Sequence, residues 1–119
     1  MRELMFRGKR INDHKWVFGT SLIYDGDYII GHYIVDQRSI CLWTGLVDKD
    51  GKDIYEGDIV KVSSPSGSSY YAKIEYNHGC YWVSNPDVQI PDTINNFNMD
   101  FIVVDGTIFD NPELLGAYK

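Results

Sequence analysis

Three aspartates around a glycine are the first side chains whose spacing suggests chemistry. Asp48, Asp50 and Asp53 could supply the oxygen ligands of a calcium loop. An EF-hand loop, however, needs oxygen ligands at its first, third and fifth positions and a glycine at its sixth. Counted from Asp48, the fifth position is Lys52 and the sixth is Asp53, so the pattern fails. The Asp-Gly pair instead predicts a tight hairpin turn over residues 49–52, because it tolerates a positive φ.

Histidine and cysteine side chains are the next candidates, as zinc ligands or as a nucleophile with its base. Structural zinc sites take four ligands, usually from closely spaced cysteine and histidine pairs. The two cysteines, Cys41 and Cys80, are 39 positions apart, and the histidines stand at positions 14, 32 and 78. A Cys80 nucleophile with His78 or His32 as its base lacks an evident oxyanion hole. We therefore expect no metal site and no cofactor.

Two pairs of carboxylates have a spacing that hydrolysis could use. Asp25 and Asp27, and likewise Glu56 and Asp58, are two residues apart. In an extended strand such a pair lies on one face at about 7 Å, within the span of inverting glycosidases. Most pairs of this kind cap turns or line solvated edges, and no cleft-forming element is evident. We therefore expect no catalytic residue and a protein that is not an enzyme.

Five aromatic side chains fall in one predicted hairpin and are the candidate partner-binding residues: Tyr70, Tyr71, Tyr76, Tyr81 and Trp82. SH3-like domains bind peptides in aromatic-lined grooves. Aromatic rings with basic neighbours would instead indicate single-stranded nucleic acid. Lys61 and Lys73 are the only cations near this hairpin in the sequence. The alternative is that these rings fill the core of a small barrel and cover its outer face.

The basic residues cluster at the N-terminus, where five of them are candidate contacts for phosphate or for an acidic partner: Arg2, Arg7, Lys9, Arg10 and Lys15. Residues 1–15 carry a net charge of +3 and residues 16–119 carry −9, which gives −6 overall. A basic strip on an acidic body could pair with another copy or dock on an acidic partner. The alternative is that these cations only solubilise the edge of a first strand. The acidic body opposes phosphate binding.

The elements that position these side chains are almost all predicted to be strands, because no window has the apolar spacing of a helix. Short runs rich in Val, Ile, Tyr, Phe and Trp recur between Gly, Asp, Asn, Ser and Pro residues. The predicted strands are residues 4–7, 16–24, 28–35, 39–47, 59–63, 70–76, 80–84 and 101–104, with turns at 25–27, 49–52 and 77–79. Their spacing fits a small barrel or sandwich.

Local signals refine this all-β prediction. A Gly-Asp pair, Gly57 and Asp58, precedes an alternating valine strand and suggests the opening of an SH3-like barrel, with a sharp bend at the glycine. The serine-rich residues 63–69 are predicted to be a loop tip, and residues 85–98 a longer polar excursion. Near the end, Asn111 has the features of a helix N-cap that starts one short C-terminal helical turn.

Composition and charge exclude several classes of protein. The chain has 119 residues, of which 44% are hydrophobic and 14% aromatic, which argues for one folded unit and against disorder. No apolar run approaches the roughly 20 residues of a membrane span. The N-terminus lacks the apolar stretch of a signal peptide, and two cysteines suit a reducing compartment. We therefore expect a cytoplasmic protein that does not contact membranes.

Four segments together resemble one known family. They are FRGK at 6–9, WVFGTSL at 16–22, TGLVDKDGKDIYEGDIV at 44–60 and GTIFDNPELL at 106–115. These segments are similar to blocks of the YopX-like family of bacteriophage and prophage proteins. Val47 and Thr107 depart from the usual family pattern, and neither change bears on the fold. The resemblance implies a β-rich fold with an SH3-like barrel in the C-terminal part, a phage or prophage origin and a host-cytoplasm setting, and it brings no catalytic or binding residues.

The chain is accordingly predicted to be a single YopX-like unit, with an N-terminal β-meander lobe at residues 1–43 packed with an SH3-like barrel lobe at residues 44–119. The first functional hypothesis is a non-enzymatic phage accessory protein that contacts an unidentified host or phage protein. It would also self-associate through exposed strand edges or the basic N-terminal strand. The second hypothesis is a nucleic-acid-associated module that uses the basic strip. The third is an acidic decoy of a host nucleic-acid-binding protein.

Overall fold

The computed structural model describes residues 5–85 and 92–116. The chain divides into two compact units, Met1–Trp43 and Thr44–Lys119, called unit 1 and unit 2 below. Arg2, the first residue of the predicted strand 4–7 and residues 86–91 of the predicted excursion 85–98 lie outside the described residues.

Unit 1 contains short antiparallel strands. They are β1 (Phe6–Lys9), β2 (Trp16–Gly19), β3 (Leu22–Tyr24), β4 (Tyr28–Ile30), β5 (Tyr33–Val35) and the first residues of β6 (Cys41–Val47). One sheet has the order β2-β1-β6, and a second sheet has the order β3-β4-β5. A single turn of 3-10 helix, Gln37–Ser39, leads into β6.

Two long strands predicted in unit 1 were wrong, because each is interrupted by a turn. Residues 16–24 form β2 and β3 with a break at residues 20–21, and residues 28–35 form β4 and β5. The second break occurs at Gly31, which has a φ of +62°. This left-handed conformation is open to glycine without steric cost, so the chain reverses there. The result is the three-stranded meander β3-β4-β5, with β2 in the other sheet of unit 1.

Two glycines let the sheets of unit 1 approach each other closely. A Cβ at Gly8 would lie 3.0 Å from Val35 Cβ, and a Cβ at Gly19 would lie 3.0 Å from Ile30 Cγ2. Ile30 and Val35 are almost fully buried, at 1% and 2% exposure. The core of unit 1 therefore forms where Ile30 and Val35 of one sheet pack against the glycine backbone of the other sheet.

Unit 2 is built on a five-stranded antiparallel sheet. The strands of this sheet are β8 (Asp58–Ser63), β9 (Ser69–Asn77), β10 (Cys80–Ser84), β11 (Asp92–Thr93) and β12 (Ile102–Thr107), and β7 (Asp53–Tyr55) precedes them in the chain. The order β11-β10-β9-β8-β12 places the last strand beside β8, and the sheet curls into a half-barrel. Strand β7 lies beside β6, at the edge of the sheet that also contains β1 and β2. The all-β fold predicted from the sequence is confirmed, with one short helix, α1 (Glu113–Gly116), near the end.

Aliphatic side chains from this sheet, from β7 and from the segment after β11 form the core of unit 2. The buried members are Ile54, Val60, Val62, Ala72, Ile74, Val83, Ile94, Ile102 and Val104. Strand β8 is buried on both faces except at Lys61, since Ile59 is also inaccessible. This double burial explains why β8 has the strongest strand signal in the sequence.

The bend predicted at Gly57 is confirmed. Its φ is +86°. Its N–H donates to the Ile74 carbonyl, and its carbonyl accepts from the Ile108 N–H, both at 2.8 Å. Asp58, which is 1% exposed, accepts a hydrogen bond from the Tyr55 N–H at 2.7 Å through Oδ2. This bend therefore ties the start of β8 to β9 and to the segment after β12.

The prediction that the Asn111 side chain caps the C-terminal helix was wrong. The Asn111 side chain turns back and accepts a hydrogen bond from the Thr107 N–H at 3.2 Å, while its own N–H donates to the Thr107 carbonyl. The side chain also fills the space beside Gly106, where a Cβ would lie 2.7 Å from Asn111 Cγ. Asn111 thus clamps the end of β12 at a bulge between Val104 and Gly106.

Candidate functional site

The five candidate aromatic residues divide between the two faces of the β9–β10 hairpin. Side chains alternate along a strand, and buried Ala72 and Ile74 mark the core face of β9. Tyr70, Tyr76 and Tyr81 are on this core face, whereas Tyr71 and Trp82 are on the outer face. The hairpin therefore does not present one continuous aromatic surface.

Two of these rings meet at the tip of the hairpin, on the core face. Tyr76 and Tyr81 are directly paired across the strands, and their ring centroids lie 5.0 Å apart at an angle of 60°. Tyr76 remains 49% exposed. Partial burial raises the pKa of the Tyr81 hydroxyl, and the negative charge of Glu56 and the Tyr76 hydroxyl raise it further. Glu56 is therefore close enough to give this aromatic pair an acidic neighbour.

A shallow groove lies on the outer face of the same hairpin tip. It has a volume of about 170 Å³ and is lined by Glu75, Asn77, His78 and Trp82. The indole N–H of Trp82 donates to the Asn77 carbonyl at 2.9 Å, which holds the ring across the turn. His78 has a φ of +52° in that turn and is exposed. The tip thus carries aromatic and acidic side chains on both faces.

The two remaining tyrosines lie toward the other end of the hairpin. Tyr70 is 40% exposed. Burial raises its pKa, and the charge of Asp92 adds to the effect. Tyr71 donates its hydroxyl to Asp105 at 3.2 Å. Loss of solvation and this hydrogen bond both raise the pKa of Tyr71. Neither ring joins the cluster at the tip.

The basic N-terminal strip is only partly available to a ligand. Arg7 is 5% exposed, and its guanidinium lies 4.5 Å from the centre of the Trp16 ring. Lys9 Nζ lies 5.4 Å from the same ring. A phosphate would reach Arg7 only if the surrounding side chains moved.

The other cations of unit 1 are largely matched by acidic neighbours. Arg10 forms a two-pronged ion pair with Asp13, and its guanidinium lies 4.6 Å from the centre of the Tyr33 ring. Arg38 pairs with Asp36 at 3.3 Å. The hydrogen bonds from the Arg38 backbone and side chain lower the pKa of Asp36. Among the candidate strip residues that the structure describes, Lys15 is exposed, whereas Lys9 and Arg10 are half-buried and Arg7 is buried.

Two of the side chains considered for metal binding and catalysis, Asp48 and Cys41, have structural partners. Asp48, 5% exposed, accepts from the N–H groups of Asp50 and Lys52 through Oδ1, both at 2.9 Å, which confirms the predicted hairpin turn. Cys41 is buried and donates its Sγ–H to the Ser39 carbonyl at 3.2 Å, while Cys80 is exposed, and both are free thiols. Within residues 5–85 and 92–116, no group of three or more His, Cys, Asp and Glu side chains could hold a metal ion.

The acidic neighbours of the hairpin tip were missed by the reasoning from sequence. Glu75 belongs to β9, and Glu56 comes 20 positions before Tyr76 in the chain. The register of β9 against β10 places Glu75 opposite Trp82. The sequence signal that could have predicted the pairing of Glu75 with Trp82 is the two-residue turn at His78-Gly79, because that turn fixes the register of β9 against β10.

Comparisons with known proteins concern the family and the fold. The family described as "YopX protein" matches residues 5–116. The crystal structure of protein EF1440 from Enterococcus faecalis is similar over 97% of this chain and 99% of that chain, with a TM-score of 0.63 and 24% sequence identity. At this identity the likeness concerns the fold alone. No curated protein matches. None of the helices in the described part of the chain has the length and apolar character needed to cross a membrane.

Proposed function

The chain belongs to the YopX protein family, and on that basis we propose that it is a non-enzymatic accessory protein of phage or prophage origin. In this proposal it acts in the host-cell cytoplasm by binding another protein. The observation that carries the proposal is the tip of the β9–β10 hairpin, where Tyr76 and Tyr81 lie on one face and Trp82 on the other. Tyrosine and tryptophan dominate the binding energy of protein interfaces, because large rigid rings bury area at little entropic cost.

The charge around the tip indicates what kind of protein binds there. Glu56 influences Tyr81, and Glu75, which forms an exposed ion pair with Lys73 at 3.3 Å, shares the outer groove with Trp82. Unit 2 carries five basic and twelve acidic residues, a net charge of −7. Acidic surfaces attract cationic partners and repel anionic ones. The partner is therefore a protein with a basic segment that places an arginine or lysine against these rings and carboxylates.

The same charge argues against direct nucleic-acid binding, the second hypothesis from the sequence. A phosphate backbone is attracted by accessible cations. Arg7 is buried, and Arg10 is ion-paired with Asp13. The third hypothesis, an acidic decoy, describes a subset of the proposed partners, because a nucleic-acid-binding protein of the host presents a basic surface.

Affinity capture with matched tyrosine variants tests the proposal. Wild-type protein, Tyr76→Ser and Tyr70→Ser are each used to capture proteins from host lysate with and without nuclease treatment, with quantitative mass spectrometry as the readout. Tyr76 and Tyr70 share the core face of β9 and are 49% and 40% exposed, so the second variant controls for loss of a surface ring. We expect a basic protein to be retained by wild type and Tyr70→Ser, and reduced about tenfold by Tyr76→Ser.

Three results would count against the proposal. The captured protein could be lost on nuclease treatment, which would favour nucleic-acid association. It could be acidic, which would contradict the charge argument. It could be retained equally by all three proteins, which would remove the hairpin tip from the interface. Circular dichroism of each variant checks that the fold is intact.

A further inference from the structure

The groove on the outer face of the hairpin tip has the dimensions of a site for one side chain. Its volume is about 170 Å³, and Glu75, Asn77, His78 and Trp82 line it. Pockets that enclose drug-sized molecules are larger, at roughly 300–1,000 Å³. We call it the outer groove, and its lining of one aromatic ring, one carboxylate and one amide is the chemistry that recognises a cation.

The register of the hairpin brings the carboxylate and the ring of the outer groove together. Glu75 on β9 is paired directly with Trp82 on β10. Residues opposed in this way have Cβ atoms about 5 Å apart on the same face of the sheet. The indole N–H donates to the Asn77 carbonyl at 2.9 Å, which fixes the ring beside the turn. A cation in the groove would therefore meet the ring and the carboxylate at once.

A cation of the chain itself already contacts this carboxylate. Lys73 Nζ lies 3.3 Å from Glu75 Oε1, and the two side chains are 38% and 45% exposed. Lys73 and Glu75 are two residues apart on β9 and therefore share its outer face. An exposed ion pair of this kind typically changes an equilibrium constant by no more than about fivefold, because water screens both charges. A second cation that approaches from solvent can displace Lys73 at little cost.

The contacts of the outer groove favour arginine over lysine as its occupant. Within the part of the chain that the structure describes, the cations that lie over rings are on Trp16 and Tyr33, so the Trp82 ring carries none. A planar guanidinium stacks on an indole and also donates from a fork of N–H groups to a carboxylate. A lysine ammonium is a strongly hydrated point charge, and Lys73 already supplies that kind of contact to Glu75.

We propose that the outer groove binds an arginine side chain of the partner, stacked on Trp82 and paired with Glu75, and that Lys73 is an internal competitor for that carboxylate. Lys73 holds Glu75 in the free protein and releases it when the arginine binds, so its presence lowers the affinity of the site. The inference rests on the proposed function, because it names the residue type that the basic segment presents. It adds the choice of arginine over lysine and gives Lys73 a role that opposes binding.

An NMR titration of the full chain with three short peptides tests the choice of side chain. The probes are acetyl-Gly-Arg-Gly-amide, its lysine counterpart and its citrulline counterpart, which keeps the shape of arginine without the charge. The reporter is the indole N–H resonance of Trp82, at constant ionic strength. We expect saturable binding of the arginine peptide with a millimolar dissociation constant, since one stacked cation and one exposed ion pair carry it. The lysine peptide should bind at least threefold more weakly, and the citrulline peptide should not saturate.

Three single variants test the competition in the same titration. Lys73→Met keeps an unbranched stem without the charge and should bind the arginine peptide about threefold more tightly. Glu75→Gln should bind it about threefold more weakly. Lys61→Met is the matched control, because Lys61 is exposed and is paired with Tyr71 on the same outer face. That pairing places it about 13 Å along the strands from Glu75, beyond the screening length of about 8 Å at physiological salt. It should therefore leave the affinity nearly unchanged.

Several outcomes would overturn the inference. Arginine and citrulline peptides could shift the Trp82 resonance equally, which would remove charge recognition from the groove. Lysine could bind as tightly as arginine, or Lys73→Met could bind no more tightly than Lys61→Met, which would end the role of Lys73 as a competitor. The titration and the capture experiment fail separately. If a basic protein is captured through Tyr76 while the arginine peptide does not bind, only this inference falls. If the peptide binds and no basic protein is captured, only the proposed function falls.

Discussion

The carboxylate of Asp48 accepts a hydrogen bond from the backbone N–H of Val104, 56 positions later in the chain, at a distance of 2.9 Å. The other oxygen of this carboxylate closes the turn after β6 through the N–H groups of Asp50 and Lys52. Lys49 adds a backbone hydrogen bond to the Ile102 carbonyl at 2.9 Å. One buried side chain therefore connects the turn that resembled a calcium loop to the last strand of the half-barrel.

Replacing Asp48 by alanine should lower the free energy of unfolding by about 3 kcal/mol. Hydrogen bonds to a charged acceptor contribute more than neutral ones, and the Val104 N–H would lose its acceptor inside the protein. Urea denaturation measures the change. Asp50→Ala is the matched control, because Asp50 is exposed in the same turn and should change stability by less than about 0.5 kcal/mol. An equal effect of both substitutions would mean that Val104 finds another acceptor.

Replacing Gly57 by alanine should cost more than about 1 kcal/mol of stability. The φ of +86° is strained for any residue with a Cβ, and both backbone hydrogen bonds of Gly57 depend on that conformation. Gly116→Ala serves as control, since Gly116 has no positive φ and a Cβ there would meet nothing within 4 Å. The midpoints of thermal unfolding compare the two variants. An unchanged midpoint for Gly57→Ala would show that the chain can leave the positive φ at this position without a loss of stability.

Replacing Asn111 by alanine should cost about 1 kcal/mol, because the Thr107 N–H loses its acceptor. The location of the effect distinguishes a clamp on β12 from a helix cap. Amide hydrogen exchange measured by NMR should accelerate at Thr107 in the variant. Asn111→Asp keeps an acceptor oxygen and should preserve that protection. Faster exchange confined to Leu114 and Leu115 would restore the capping role.

Stability should fall as the pH rises above 10, in part because of Tyr81. Its pKa is raised above the ordinary value of 10.0 by burial and by Glu56, so the folded state favours the neutral hydroxyl. The stabilisation is complete below pH 10 and is lost as the pH rises through the pKa of the folded state, because the unfolded state ionises first. Tyr81→Phe should reduce this alkaline loss, measured by urea denaturation at increasing pH.

An NMR titration of the Tyr81 ring supplies an independent check, because ultraviolet spectra would report only the sum of the nine tyrosines in the chain. Glu56→Gln removes one of the negative charges that raise the Tyr81 pKa, so the titration midpoint of that ring should move back toward 10.0. A midpoint unchanged by Glu56→Gln would mean that burial alone shifts the ring.

Unit 2 was largely predictable because its sequence signals are local and consistent. β8 and β10 are alternating or buried runs, and the turns of unit 2 contain Gly51, Gly57 and Gly79, all with φ above +70°. Glycine and its neighbours mark such turns directly. The role of Asn111 was not predictable, because the bulge that receives its side chain depends on the register of β12 against β8.

Unit 1 and the candidate sites were harder to predict, since their structure depends on contacts between segments that are distant in the sequence. Gly31 gave a weak turn signal inside a run of β-forming residues, so two strands were taken as one. Counting cations did not reveal that Arg7 would be buried or that Asp13 would neutralise Arg10. The aromatic residues of the hairpin were grouped correctly by element, but the alternation of the strands sends them to different faces.

The close packing at Gly8 and Gly19 restricts which residue changes unit 1 can accept during evolution. Gly8 faces Val35 and Ile30, and Gly19 faces Ile30, and a Cβ at either glycine would lie only 3.0 to 3.2 Å from these side chains. A methyl group gained at one of these positions has to be offset by atoms lost at its counterpart. Among family members, the residues at each such pair should therefore covary in volume, with a larger residue at one position accompanied by a smaller one at the other.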